Sequence, residues 1–531
     1  MFLSLYLSFI HCDSALRKIS VYYNDTKKSF YFIENVYDSS SPARGLYQDK
    51  INETGWGDLQ IEGPRMMDDS IESRAAGFAE AILTGHLLKP HMRNIYSHLC
   101  QNFIKCPGNY TIPEDITKLF KNNYDWTRET VMASPLDDPY YFAAHMMIYQ
   151  IDGLVEGYNY LYPNDPITVY DLWTYYGHSG IYDIARSLNM AKNPNPTPII
   201  RRGTVIVGQT AQPDDVYMAQ TAWRSYGEAQ RLAKRYRIRY SSHFSSVDRR
   251  SLSGYPFMLH SDDDFYLTDN GLAIMSTSIA LSNEYIKSVK YTPQGFPSWF
   301  RMIVSAQYSH SCEDWYQQYR PSPFYGAGIE YVVVDIKKFK YKQGFDDEFI
   351  YAVDEIPELI VGGDVTSRMR DRRFFGSYDV PFFEDVFKKA GYTVFSAESP
   401  DLYSYEQSIR AKILQRKAQS FSDFESMKKL IRLNDPATIE EQKGSTANAI
   451  AGRLELVRPM TDATCTGAYD AKVTSVGRML HMMWVGQSGA SHDDLPKLYL
   501  DHCDPCDFEA REGIPSYMAN DWVHNYFEIE H

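Results

Sequence analysis

Two cysteine pairs and one Ser-His-Ser-Cys run are the first places where residue types suggest chemistry. Cys503-Asp-Pro-Cys506 is a CxxC pair, and the chain has no second one. Structural zinc takes four ligands, so the pair reads as a small disulfide loop formed in an oxidising compartment. Cys100 and Cys106 are close enough to read the same way, while Cys312 and Cys465 have no obvious partner. Ser309-His310-Ser311-Cys312 brings an imidazole near a thiol inside a predicted helix over 297–319. No third group is in view to orient that histidine, so the pair reads as a surface histidine and a buried thiol. None of these patterns implies a metal or an organic cofactor.

The elements that would position any site follow from the patterning. Residues 18–23, 29–34 and 52–61 read as strands. A helix with Asp68 or Asp69 as N-cap follows, and its small residues from Ala75 to Gly85 suit close packing. Residues 140–160 have helical periodicity, and 168–188 start a helix capped by Thr168 and interrupted at Gly177 and Gly180. Asn193-Pro-Asn-Pro-Thr-Pro198 predicts an extended connector and is the best candidate boundary. After it, 204–207 and 216–219 predict two strands joined by a polar turn, then a helix after Trp223 rich in Ala, Leu and cations. Gly254 to Leu259 predicts another strand. Asn270-Gly271 between two apolar runs predicts a hairpin. Strands are expected at 329–336, 349–353 and 358–361, and helices at 381–390 and over most of 404–433. Strands and helices come in segregated runs, which points to an α+β class with mostly antiparallel sheets.

Composition bounds the partners. The 531 residues carry 54 basic and 68 acidic side chains, a net charge of −14 that argues against nucleic acid and against anionic membranes. Aromatics reach 15%, with 42 tyrosines, suiting a large core or a pocket lined by amphipathic rings. Residues 1–15 are apolar at first and end in Ser14-Ala15; they read as a signal peptide, or else as a buried first strand. Cys12 would leave with that signal. No other stretch approaches transmembrane length. Sequons at Asn24, Asn52 and Asn109 fit a secretory route to the outside or to a lysosome-like compartment.

Ten stretches together resemble the phospholipase B-like, or lamin-ancestor, family. They include Asn52-Glu-Thr-Gly-Trp-Gly57, Ala75 to Gly85, Gln150-Ile-Asp-Gly-Leu154 and Ser261-Asp-Asp-Asp-Phe-Tyr266. Further along are Val334 to Phe339, Glu355-Ile-Pro-Glu358, Ser377-Tyr-Asp379-Val-Pro-Phe-Phe383, Arg410-Ala-Lys-Ile413, Met427 to Asp435 and Asp470-Ala-Lys-Val-Thr-Ser475. They occur in the family's order over nearly the whole chain. The resemblance implies an N-terminal-nucleophile hydrolase fold, a four-layer αββα sandwich. It would be one domain, with 16–202 as its N-terminal part and 203–531 as its C-terminal part, starting at the nucleophile strand. It also implies a precursor cut before its nucleophile, no cofactor, and a lipid or lipid-like substrate with acyl ester or amide bonds.

The resemblance places the family's cysteine nucleophile at Gly203, its histidine at Gln220, and the asparagine of its Ser-Tyr-Asn motif at Asp379. Glycine has no nucleophilic atom, so these changes imply impaired catalysis. Thr204 is the substitute: cut between Gly203 and Thr204, the chain would offer a hydroxyl beside a free amine. Otherwise Thr204 is a plain β-branched strand residue. Asp263 and Asp264 match the family's acidic pair, either orienting a base or capping a turn. Trp223 either walls the pocket or belongs to the core. Asp379 either accepts a hydrogen bond at the site or caps a helix ahead of Pro381. The expected functions are a phospholipase B-like lipid hydrolase, or a non-catalytic luminal glycoprotein that binds lipid or a partner. A storage glycoprotein is the blander option.

Overall fold

The computed structural model describes residues 15–193, 203–212, 214–324, 326–418, 422–507, 509–518 and 520–527. The expected signal peptide up to Ser14, with Cys12, lies outside the described residues, as do residues 194–198 of the expected connector and 199–202 after it. Among the described residues no helix is long and apolar enough to cross a membrane.

Two sheets dominate. An eleven-stranded sheet runs, edge to edge, through Leu359–Asp364, Ile350–Ile356, Gly328–Asp335, Leu272–Ile279, Phe265–Thr268, Arg249–Gly254, Arg231–Ile238, Trp56–Gly63, Ala43–Lys50, Arg17–Asn24 and Ser29–Glu34. Every pairing in it is antiparallel except one. Trp56–Gly63 pairs in parallel with Arg231–Ile238, so segments from either side of the 194–202 stretch share one sheet. A six-stranded antiparallel sheet runs through Phe374–Ser377, Thr204–Gln209, Val216–Thr221, Asp470–Ser475, Trp484–Ser488 and Val523–Asn525.

Alternation along the strands decides what lies on each face. Val205, Val207 and Met218 of the small sheet share a core with Phe265, Met275, Val332 and Val334 of the large one, so the sheets stack face to face. The large sheet's other face meets the helices Asp69–His98 and Pro139–Leu161. These two helices cross almost in backbone contact. A Cβ on Gly77 would lie 1.9 Å from the Gln150 carbonyl oxygen, and one on Gly153 would lie 1.9 Å from that of Arg74. The small sheet's outer face, with Ile206 and Ala219, meets Ile409–Lys417 and Phe424–Ile431 through Ile413, Leu414, Met427 and Ile431. The order of layers is helix, sheet, sheet, helix: a mixed α+β fold with large antiparallel sheets.

Several expectations are corrected. The helix expected after Trp223 is absent: Trp223–Ser225 and Arg231–Ile238 are strands. Alanine, leucine and arginine favour helix in isolation, but tertiary pairing overrides that preference. Here Arg231, Lys234 and Arg235 are buried and matched by Asp263, Glu80 and Asp58, which holds the segment inside the large sheet. The strand expected over 254–259 stops at Gly254. The helix expected over 297–319 breaks into Ser298–Tyr308 and Cys312–Tyr319, the second capped by Ser311. The helix expected from Pro381 starts at Glu384, with Phe383 as N-cap, so Asp379 caps no helix. The hairpin at Asn270-Gly271 forms, and Thr168 caps its helix as expected, in a capping box completed by Asp171.

Candidate functional site

The strand Thr204–Gln209 lies between Phe374–Ser377 and Val216–Thr221, with Thr204 opposite Thr221 and Val205 opposite Gln220. Because side chains alternate, Val205 and Gln220 face the large sheet, while Thr204 faces the helical layer outside. The Thr204 hydroxyl donates to the carbonyl of Ile450 at 3.0 Å and accepts from Arg410 Nη1 at 3.2 Å. Both Thr204 and Gly203 are buried.

Arg410 is the hub. It sits in the first turn of the helix Ile409–Lys417, whose N-cap is Ser408. Its Nη1 donates to the Gly203 carbonyl oxygen at 2.8 Å, and its Nη2 donates to Asp379 Oδ2 at 2.7 Å. Its guanidinium lies 4.9 Å from the ring centre of Trp223, whose indole nitrogen donates to the same Ile450 carbonyl at 3.2 Å. Asp379 holds a positive φ of 63° and turns its Oδ1 towards three donors. These are the backbone and hydroxyl of Ser278, each at 3.1 Å, and the Gly203 amide at 3.4 Å. A buried, hydrogen-bonded ion pair thus fixes the backbone on both sides of Gly203.

Gly203 has φ +124°, and a Cβ built there would fall 1.7 Å from the Thr221 carbonyl oxygen. No L side chain fits that backbone path without moving it. Position 203 is shaped as a glycine.

Gln220 belongs to another neighbourhood. Its amide nitrogen donates to the carbonyls of Asp263 and Ser276, tying the two sheets together, and its buried Oε1 has no hydrogen-bond partner among the described residues. Asp263 forms a fully buried quartet with Arg231, Lys472 and Asp470: Arg231 lies 2.9 Å from Asp263 and 3.0 Å from Asp470, and Lys472 lies 2.6 and 2.9 Å from them. Burial alone would raise the Asp263 carboxyl, but Arg231 and Lys472 outweigh it and hold it below the usual carboxylate range. Asp264 accepts from the Ser276 hydroxyl at 2.7 Å. The fold therefore gathers Gly203, Thr204, Trp223 and Asp379 in one knot and leaves Gln220, Asp263 and Asp264 between the sheets. Arg410, Ser278 and Ile450 complete the knot. Arg410 carried a sequence signal only as part of the Arg410-Ala-Lys-Ile413 motif; the other two carried none.

Trp223 and Ser278 also line a cleft with about 870 Å³ of empty space, its mouth included. Its lining is mixed: Ile95, Leu99, Phe103, Tyr182, Ile279 and Leu281 are apolar, while His98, His178, Arg186, Arg224 and Glu228 are polar or charged. Arg224 Nη1 donates to His178 Nε2 at 3.0 Å and is paired with Glu228 and Asp262. Among the described residues no group of three or more His, Cys, Asp or Glu could hold a metal ion.

Cys100 and Cys106 are joined. The other expected loop is corrected: Cys506 is joined to Cys465, and Cys503 is a free buried thiol. The strand Thr466–Ala468 pairs with Trp223–Ser225 and carries Cys465 into the interior, where Cys506 is also fully buried. Cys312 is a buried free thiol, and His310 beside it is exposed. Of the sequons, Asn52 and Asn109 are exposed and Asn24 is half-buried.

The Phospholipase B family model matches residues 43–525. Phospholipase B-like protein C of Dictyostelium discoideum is 27% identical over 487 residues, covering 88% of this chain and 84% of that protein. Phospholipase B of Crotalus adamanteus is 26% identical over 514 residues, covering 90% and 91%. Phospholipase B-like 1 of Bos taurus is 28% identical over 470 residues, covering 86% and 83%. With almost the whole of both sheets inside the matched span, the chain belongs to the phospholipase B family.

Proposed function

We propose that this protein is a lipid acyl hydrolase of the N-terminal-nucleophile kind, in which Thr204 becomes the nucleophile once the Gly203–Thr204 peptide is cut. One observation carries the reading: a single guanidinium nitrogen, Arg410 Nη1, touches both the Gly203 carbonyl oxygen, at 2.8 Å, and the Thr204 hydroxyl, at 3.2 Å. Attack of Thr204 Oγ on the Gly203 carbonyl carbon would place negative charge on the oxygen that Arg410 already contacts. Collapse of that adduct breaks the C–N bond and leaves an ester, which water hydrolyses. The freed amine of Thr204 then serves as base for its own hydroxyl. The apolar side chains among the lining of the cleft beside Trp223 suit an acyl chain, and the names of the relatives point to phospholipids. The apolar N-terminus and the three sequons support a secretory route.

One observation favours a second reading, a fold kept for binding lipid or a partner. In the uncut chain the Thr204 proton points to the Ile450 carbonyl, which is no base.

Expression through a secretory pathway, followed by N-terminal sequencing and assay of fatty-acid release from phosphatidylcholine, separates the two. A new terminus at Thr204, abolished by Thr204→Ala and accompanied by fatty-acid release, is the expected result. A single chain carrying bound lipid would establish the second reading instead.

A further inference from the structure

Three cysteines meet behind the strand Trp223–Ser225, which lines the cleft. Cys506 is joined to Cys465, and the free Sγ of Cys503 lies 2.8 Å from Cys506 Sγ. All three are buried, and the short helical turn Asp504–Cys506 holds Cys503 and Cys506 side by side, with the Cys506 amide donating to the Cys503 carbonyl at 2.7 Å. We propose that Cys506 is a disulfide with two alternative partners, Cys465 and Cys503, and that the exchange between them fastens or releases one wall of the cleft.

The step is redox-neutral. Cys503 Sγ bonds to Cys506 Sγ while the Cys506–Cys465 bond breaks. The electron pair leaves on Cys465 Sγ, which takes up the proton that Cys503 gives away. Cys503 contacts Cys506 rather than Cys465, which fixes the leaving group. Burial, with Glu455 nearby, pushes the Cys503 thiol up to about 12, so the exchange is held in check in acid and eased as pH rises.

The consequence lies three residues on. Glu509 accepts from Ser225 Oγ at 2.7 Å and from Asn102 at 2.8 Å, and pairs with His98 at 3.0 Å. Ser225 and His98 both line the cleft. Cys465 precedes the strand that pairs with Trp223–Ser225, and its carbonyl accepts from the Tyr226 amide at 3.1 Å. In the Cys465–Cys506 form a covalent bond therefore ties the Glu509 segment to the strand beside the cleft. In the Cys503–Cys506 form that segment keeps the Glu509 contacts, the Ala510 amide on Ser97 Oγ, and the bonds of Glu512 to Arg93 and Asn94, but loses its covalent tie to the strand.

The test is a thiol map of the whole secreted protein. Samples held at mildly acidic and at alkaline pH are quenched in acid, unfolded, alkylated, digested without reduction and read by mass spectrometry. The expected result is label mostly on Cys503 after acid and a growing share on Cys465 after alkaline incubation. Cys312 is labelled throughout; label on only one of Cys465 and Cys503 at every pH overturns the exchange. Cys465→Ser is expected to form the Cys503–Cys506 bond and Cys503→Ser to keep Cys465–Cys506; label on both Cys503 and Cys506 in Cys465→Ser, beside the Cys312 label common to every sample, overturns it independently. Backbone hydrogen exchange at 223–228 is expected to be faster in Cys465→Ser than in Cys503→Ser, and equal rates overturn the link to the cleft wall.

Discussion

The guanidinium of Arg410 reaches across 207 residues of sequence to donate to the Gly203 carbonyl oxygen at 2.8 Å. The bond polarises the peptide that would have to break, and the same side chain neutralises Asp379 at 2.7 Å. The second role complicates any test of the first. Removing one partner of a buried ion pair costs about 3–5 kcal/mol, because the other charge is left stranded. Asp379 would be that charge in Arg410→Ala. The double variant Arg410→Met with Asp379→Asn removes both charges and is expected to fold. Its precursor scission should fall by roughly 100-fold or more, the usual cost of losing one oxyanion donor. A time course on denaturing gels reads this directly. Scission at the wild-type rate would remove Arg410 from the proposed chemistry.

Gly203 makes a second prediction. In the uncut background of Thr204→Ala, Gly203→Ala should destabilise the fold by about 2 kcal/mol or more, since φ +124° strains any L residue and the new methyl meets the Thr221 carbonyl at 1.7 Å. Gly203→Cys should suffer at least as much, so restoring a cysteine there is not expected to restore activity. Thermal unfolding of the three chains side by side decides it. An unchanged midpoint would mean that this segment has a second path open to it.

How much of this was legible beforehand depends on the range of the interaction. The Asn270-Gly271 hairpin and the Thr168–Asp171 capping box are local, and their residues show in a short window. The strand Arg231–Ile238 is not local. Its Ala, Leu and cations read as a helix because the partners that bury those cations in a sheet, Glu80 and Asp263, lie far along the chain. Gln220 was placed with the nucleophile by motif alone, yet strand alternation turns it to the opposite face of the sheet from Thr204. Arg410 escaped for a related reason: a first-turn arginine has no sequence feature that announces contacts with residues 203, 204 and 379. Cys506 finds a partner 41 residues back, which CxxC spacing hides.

The buried quartet predicts behaviour in acid. Asp263 has a folded pKa below its unfolded value of about 3.8, so its contribution is fully present above that value and is lost as pH falls through the depressed one. Lys472→Met removes one of its two cations and leaves Arg231 alone facing Asp263 and Asp470. The variant should be less stable at neutral pH, and its acid unfolding should begin at a higher pH than that of the wild type. Circular dichroism along an acid titration measures both. Coincident curves would mean that Arg231 alone suffices.

The opposite sign holds for Glu330 and Asp354, which face each other directly across neighbouring strands. Both are buried, and no cation is paired with either among the described residues; the Ser377 hydroxyl beside Glu330 offsets only part of its burial, and Asp354 Oδ2 accepts from the Phe383 amide at 2.9 Å. Burial raises Asp354 to about 8, and burial with Asp354 beside it holds Glu330 well above the carboxylate range. For an acid whose folded pKa is raised, the native state holds the extra proton. Stability therefore declines as pH climbs from about 4 to about 8 and levels off above that. Asp354→Asn keeps an acceptor for the Phe383 amide and removes the titration. The variant is expected to exceed the wild type in unfolding temperature near pH 8 by more than it does near pH 5, so that the two curves converge in acid. Parallel curves across that range would show that the fold does not hold Asp354 protonated.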